Sequence, residues 1–401
     1  MTAAADRRLK ILCAFGEHNY GDVARGESPE HAAFLPALRN LGHEVRLVET
    51  WNRRAYSDLS ALNVALLDAV EAFRPDLLLT VQMNYEIWLE TLDLIRARGD
   101  VVTVSWATDD SWKYREVSRF IAGSYDTMAT TYDHVVKQYH ADGFDHVFAT
   151  QWAAVSDHLQ EPLDAEHCRY PVSFVGTAHG QRAQWVESLR ARGIDVACFG
   201  YGWPNGPVAT QDIPRIIRES RISLNFANSQ GENQIKARMF EVPGAGGFLL
   251  TESARSLERF YRPGHEIAVY DGLDDLVAKI RYYLANPRER DLIAQAGFKR
   301  TREEHTYEHR FMRLLNYALS TSRAAPHPAP ASKFEEAVAN HSLTPFLRIL
   351  RDALKQIGVF AYGKERGPRA ARRLVYELSW RLAGRHTFTA KGWPGRMFPH
   401  D

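Results

Sequence analysis

The residue types best suited to chemistry lie between Ser223 and Glu252, in SLNFANSQGENQIKARMFEVPGAGGFLLTE. A polar turn through Ser229 and Gly231 follows a strand at Ile222 to Phe226 and precedes a helix expected from Asn233. A glycine-rich turn then leads to a strand at Phe248 to Thr251. At about 100° per residue, Asn233, Lys236, Ala237 and Glu241 share one stripe, and Ile235, Met239 and Val242 fall opposite. An apolar back and a charged front suit a helix whose N-terminus looks into a cleft. Its unsatisfied N–H groups and the nearby lysine make a site for a phosphate. An ordinary surface helix with a solvated face gives the same pattern.

A second group is Ala107 to Tyr114, ATDDSWKY. The adjacent carboxylates Asp109 and Asp110, at a strand's end, could activate a hydroxyl as base, bind sugar hydroxyls or hold a metal. Equally, one of them could cap the helix that starts near Ser111. His18, in the loop after the first strand, is a further candidate, although a lone loop histidine is commonly incidental; His179 is in the same position.

The elements that must position these groups alternate along the chain. Lys10 to Phe15 reads as a buried strand, a helix starts near Pro29, and a strand follows at Val45 to Glu49. Helices at Ser60 to Phe73 and Tyr85 to Arg98 alternate with strands at Asp76 to Val81 and Val101 to Trp106, and two more strands lie near Thr127 to Thr131 and His146 to Thr150. After Tyr170-Pro171 the alternation resumes: strands at Val172 to Val175 and Val196 to Phe199, helices at Arg182 to Arg192 and Ile213 to Ser220. Such alternation predicts doubly wound parallel sheets, in which ligands bind beyond the carboxyl ends of the strands.

Composition bounds the rest. A chain of 401 residues with 45% hydrophobic and 25% charged residues is long enough for two globular cores. The net charge of +1 gives no case for nucleic acid as a partner. It conceals an asymmetry, because Lys333 to Asp401 holds 13 Lys/Arg against 6 Asp/Glu. Cys13, Cys168 and Cys198 are widely spaced and odd in number, which fits a reducing compartment better than a disulfide framework. The first apolar run is too short for a signal peptide, no run is long enough to span a bilayer, and a cytoplasmic location is expected, with a peripheral place at the inner membrane face as the variant. Thr321 to Ser332, TSRAAPHPAPAS, reads as a linker, and two basic amphipathic helices follow. Those helices suit either an anionic lipid or partner surface, or packing against the preceding domains.

The pattern Lys236, Arg238, Phe240, Glu241, Gly247, Leu250, Thr251, Glu252 resembles the nucleotide-sugar-binding segment of GT-B glycosyltransferases. Within them it is closest to the CgeB-like, spore-maturation group, related to glycosyl transferases group 1. The likeness covers roughly residues 170–315. It implies an α/β fold of two Rossmann-like domains facing across a cleft, with a C-terminal helical extension. The expected divisions are 1–169 for the acceptor domain, 170–320 for the donor domain, 321–332 for the linker and 333–401 for the extension.

The resemblance also implies roles. Glu241 would hold the donor ribose. A second family glutamate falls on Asn233, where this chain departs. Aligned from Gly176, the family's diphosphate-gripping arginine falls on Thr177 and its lysine on Arg182, so Lys236 and Arg238 would supply the missing charge. Gly200 and Gly202 resemble the G-x-G turn of the family. The implied activity is transfer of a sugar from a nucleoside-diphosphate donor, retaining and metal-independent, with no cofactor. The acceptor would be a glycan, a protein or a small molecule; from their place in the loops at strand ends, Asp109 or Asp110 would contact it, with His18 as a further cleft residue. Alternatives are a nucleotide-sugar epimerase of the same fold and a non-catalytic nucleotide-sugar-binding scaffold.

Overall fold

A computed structural model of the chain describes residues 7–226, 235–321 and 331–400. Asn233 therefore lies outside the described residues. The chain divides into two compact units, one of residues 1–151 with 311–401 and the other of residues 152–310.

The first unit is built on a six-stranded sheet of β1 (Lys10–Phe15), β2 (Glu44–Glu49), β3 (Leu77–Thr80), β4 (Val102–Ala107), β5 (Thr127–Thr130) and β6 (Val147–Ala149). Their order is β2-β1-β3-β4-β5-β6, and every pairing is parallel. A strand covered on both faces needs an unbroken apolar run, and Ile11 to Phe15 are all fully buried. The helices between strands carry their own start signals. Ser28 Oγ accepts from the His31 amide at 3.0 Å ahead of Pro29–Asn40, and Asp58 caps Leu59–Phe73 through the Ala61 amide at 3.0 Å.

The second unit holds β7 (Tyr170–Val175), β8 (Ala197–Phe199), β9 (Ser220–Asn225), β10 (Leu249–Glu252) and β11 (Ala268–Tyr270). The order is β11-β10-β9-β7-β8, again all parallel. Strand order reverses between β7 and β9 here, and between β1 and β3 in the first unit. Those reversals leave crevices at the carboxyl ends, where doubly wound sheets bind ligands.

The chain enters the second unit at Trp152, ahead of Tyr170, and residues 311–401, the C-terminal helices included, group with the first unit. Phe334, Ala337, Tyr376, Trp380 and Phe388 are buried in one apolar cluster with Leu59, Leu62, Trp88 and Val117 of the first unit. Sequence periodicity reports that a helix has an apolar face, but not which surface covers it. Residues 322–330 of the expected linker lie outside the described residues, and Ala331 already begins the helix Ala331–Asn340.

Candidate functional site

In the second unit the sequence candidates gather at the β7/β9 reversal. β7 ends at Val175, and Gly176 follows with no room for a side chain: a Cβ there would sit 2.9 Å from the Phe174 ring. The Gly176 carbonyl accepts from Trp203 Nε1 at 2.7 Å. Gly202 lies at a φ of +85°, where its missing Cβ would come within 2.9 Å of Ala178. The loops after β7 and β8 are thus drawn together, the Ala178 amide donating to the Tyr201 carbonyl at 2.8 Å.

Arg182 opens the helix Arg182–Arg190 and turns back over this loop. Its Nη1 donates to the Thr177 carbonyl at 3.1 Å and its Nη2 to the Phe226 carbonyl at 3.0 Å. It is half-buried rather than a solvated arginine, and its Nε is buried with no hydrogen-bond partner among the described residues. Burial, then the nearby Arg238 charge, depress its proton affinity, while Glu252 at the end of β10 opposes them. His179, whose Nε2 is 3.4 Å from Arg182 Nη1, is likewise shifted down by burial and by that guanidinium.

Arg238 and Glu241 both lie on the helix Arg238–Gly244, 3.0 Å apart through Arg238 Nη1 and Glu241 Oε2. That ion pair lacks the alignment of a hydrogen bond, and Nη1 is without a hydrogen-bond partner among the described residues. The helix begins at Arg238 rather than near Asn233, and it is only 7 residues long. Its dipole is therefore a smaller contribution to an anion site than the two guanidinium groups. Met239 and Val242 form the buried back, as the stripe predicts, and Ile235, ahead of the helix, is buried as well, while Lys236, Arg238 and Glu241 remain partly accessible.

In the first unit, Asp109 and Asp110 part company. Asp110 is buried, accepting from Ser118 Oγ at 2.5 Å and from Tyr139 OH at 2.9 Å, and burial holds its carboxyl above the usual range. It ties the loop after β4 to its surroundings, each carboxylate oxygen engaged by one of these hydroxyls. Asp109 stays half-buried at the N-cap of Asp110–Lys113, and its side chain makes no cap hydrogen bond.

Sequence reasoning missed Glu30, in the first turn of Pro29–Asn40. It is buried, and its carboxyl is pushed up to about 7, chiefly by burial, with Lys113 opposing and Asp109 adding to the rise. A glutamate after Ser-Pro is ordinary helix-start chemistry, so the sequence carries no signal for it. His18 bridges to Glu27 through the main chain, and its ring lies with the Glu17 and Glu49 carboxylates, ligand atoms all within 4.8 Å of one another. Glu49 already accepts main-chain N–H bonds from Glu17 and Trp51 at 2.6 Å and Asn52 at 2.9 Å. The trio therefore reads first as a brace for the loop after β1. Asp164, Glu166 and His167 make a similar trio in the second unit, all three exposed.

Comparisons with known proteins bear on the fold. Residues 181–316 match the Glycosyl transferase-like family model, a span that includes Arg182, Lys236, Arg238, Glu241 and Glu252. No curated protein sequence matches the chain. Among solved structures, a glycosyltransferase from Rickettsia africae aligns over 79% of this chain and 100% of its own, with 13% identity and a TM-score of 0.55. Sucrose-phosphate synthase from Thermosynechococcus elongatus covers 78% of this chain and 97% of its own at 11% identity and TM-score 0.55. Anabaena HepE, in complex with UDP-glucose, covers 78% and 100% at 11% identity and TM-score 0.53. At such identities the likeness is one of fold. The chain thus has the two-sheet α/β architecture of the GT-B glycosyltransferases, with a glycosyltransferase-like segment across residues 181–316.

Proposed function

We propose that this protein is a glycosyltransferase of the CgeB-like group, transferring a sugar from a nucleoside-diphosphate donor with retention and without a metal. The observation that carries the reading is the pair of guanidinium groups at the β7/β9 reversal. Arg182 Nε and Arg238 Nη1 are donors with no hydrogen-bond partner among the described residues, and the two charges lie close enough to depress Arg182. A buried cationic N–H that lacks a hydrogen bond is costly, and a diphosphate offers oxygens that match the charge and the geometry of such forks. In transfer, the developing charge sits on the leaving diphosphate, and fixed cations that meet it there lower the barrier.

In this reading Arg182, Arg238 and Lys236 grip the diphosphate, with Gly176 and Gly202 letting main chain approach it. Glu241 takes the ribose hydroxyls, exchanging its contact with Arg238 for them as Arg238 turns to phosphate. Asn233, which stands where the family has a second glutamate, is assigned to the donor by the resemblance alone. Asp109 contacts the acceptor in the first unit, together with His18 from the loop after β1. Because HepE, similar in fold, was solved in complex with UDP-glucose, uridine is the first base to try.

Calorimetry on a panel of nucleoside diphosphates, with pyrophosphate beside them, tests the assignment. Glu241→Ala should weaken the preferred nucleoside diphosphate by about 10-fold to 100-fold, the value of a hydrogen bond to a charged group, without weakening pyrophosphate. Equal loss for both ligands, or no loss for either, removes the ribose contact from Glu241.

A further inference from the structure

The segment Pro345–Ala383 is helical but for Gly363, whose φ of 79° and ψ of 170° break it in two. The halves fold back on each other across a glycine crossing. A Cβ on Gly358 would lie 2.4 Å from the Gly367 carbonyl oxygen, and one on Gly367 would lie 2.4 Å from the Val359 amide. Leu347, Ala371 and Val375 form a small core between them, closed by Met397 and Phe398. The second half is anchored on the first unit, Tyr376 OH donating to the Glu116 carbonyl at 3.0 Å and Trp380 buried in the main cluster.

One face of this hairpin is apolar and open. Phe346, Ile349, Ile357 and Phe360 recur at helical spacing along the first half and are 71%, 71%, 63% and 94% exposed. The tip carries Phe360 and Tyr362, the latter 64% exposed. Immediately after the reversal come Lys364, Arg366, Arg369 and Arg372, none of which makes an ion pair among the described residues. Arg373 and Arg381, further along, are held by Glu116 and Glu377. Across the hairpin, nine Lys/Arg stand against three Asp/Glu.

We infer that this hairpin docks on an anionic lipid surface, the tip aromatics entering the headgroup region and the cations after Gly363 meeting lipid phosphates. Aromatic rings prefer that boundary, and basic side chains gain about 1 kcal/mol each near an anionic leaflet. The charge argues against a second copy as the occupant, because two surfaces each carrying a surplus of six positive charges repel. No described helix is long and apolar enough to cross a membrane, so the hairpin lies on the surface rather than through it. The inference does not depend on the donor site.

The test is co-sedimentation of the full chain with vesicles of phosphatidylcholine alone or mixed with phosphatidylglycerol, at low and high salt. The expected result is binding to the mixed vesicles, weak binding to the neutral ones, and loss with salt. Lys364→Gln with Arg366→Gln should lower partitioning by about 25-fold, at roughly fivefold per cation. Phe360→Ser with Tyr362→Ser should abolish most of the remainder. All four side chains are exposed, so melting temperatures should match the parent and separate lost docking from misfolding. No binding to mixed vesicles, or a tip variant that binds as the parent does, overturns the inference. So does a concentration-dependent mass in sedimentation that Phe346→Ser with Ile349→Ser returns to monomer, which would give the face to a second copy. Binding instead to an acidic protein, with vesicles ignored, overturns it equally.

Discussion

Arg182 Nη2 donates to the main-chain oxygen of Phe226 at 3.0 Å, so one side chain joins the loop after β7 to the end of β9. Its other arm holds the carbonyl of Thr177, just beyond the end of β7. The guanidinium is thereby fixed across the strand-order reversal before any ligand arrives. A preorganised cation loses little entropy on binding an anion, which is where such a site gains its affinity.

Arg182→Lys follows directly. A lysine keeps the charge but cannot serve Thr177, Phe226 and a phosphate oxygen together. Affinity for nucleoside diphosphate and for pyrophosphate should fall in parallel by about 10-fold to 100-fold, on the scale of one or two charged hydrogen bonds. Calorimetry reads this, and undiminished pyrophosphate binding would separate Arg182 from the diphosphate.

The neighbouring carboxylates of the first unit should respond differently to the same change. Asp110→Ala strands the Ser118 and Tyr139 hydroxyls in a buried place and should cost about 2–3 kcal/mol of stability. Asp109→Ala, at a half-buried position whose side chain makes no cap bond, should cost less stability than Asp110→Ala in urea unfolding and should lower transfer to acceptor. Equal destabilisation by both substitutions would refute the division of labour.

Two buried groups, one in each unit, give pH responses of opposite sign. Glu30, with its carboxyl raised from 4.5 to about 7, keeps a proton in the native state that the unfolded chain has released. Its contribution is complete below pH 4.5 and lost as pH rises to about 7. His305 is lowered from 6.5 to about 4, chiefly by burial and then by Arg310, and its Nε2 lies 2.8 Å from the Phe260 carbonyl, to which it donates. The native state refuses a proton that the unfolded chain takes, so stability is lost as pH falls from 6.5 toward 4. Each effect amounts to about 3 kcal/mol at most, at about 1.4 kcal/mol per pH unit. Urea unfolding across pH 4 to 8 should show Glu30→Gln gaining stability at the alkaline end and His305→Gln flattening the acid limb. A pH profile indifferent to both substitutions would remove these two groups as its cause.

The arrangement of the two sheets was legible from residue order because its causes are local. Apolar runs such as Lys10–Phe15, glycine turns and caps such as Ser28 act over a few residues, and parallel pairing follows from their alternation with helices. The buried face of the helix carrying Glu241 was equally legible, through Met239 and Val242. What the tertiary structure decided depends on contacts between residues far apart in the chain. Nothing adjacent to Asp110 reveals that Ser118 and Tyr139 enclose it while Asp109 does not share that fate. Nor does the helix start at Glu30 reveal the burial that shifts its carboxyl. The basic C-terminal helices show the same limit. Their periodicity announced apolar faces, but only folding chose which one meets Trp88 and which is left to solvent.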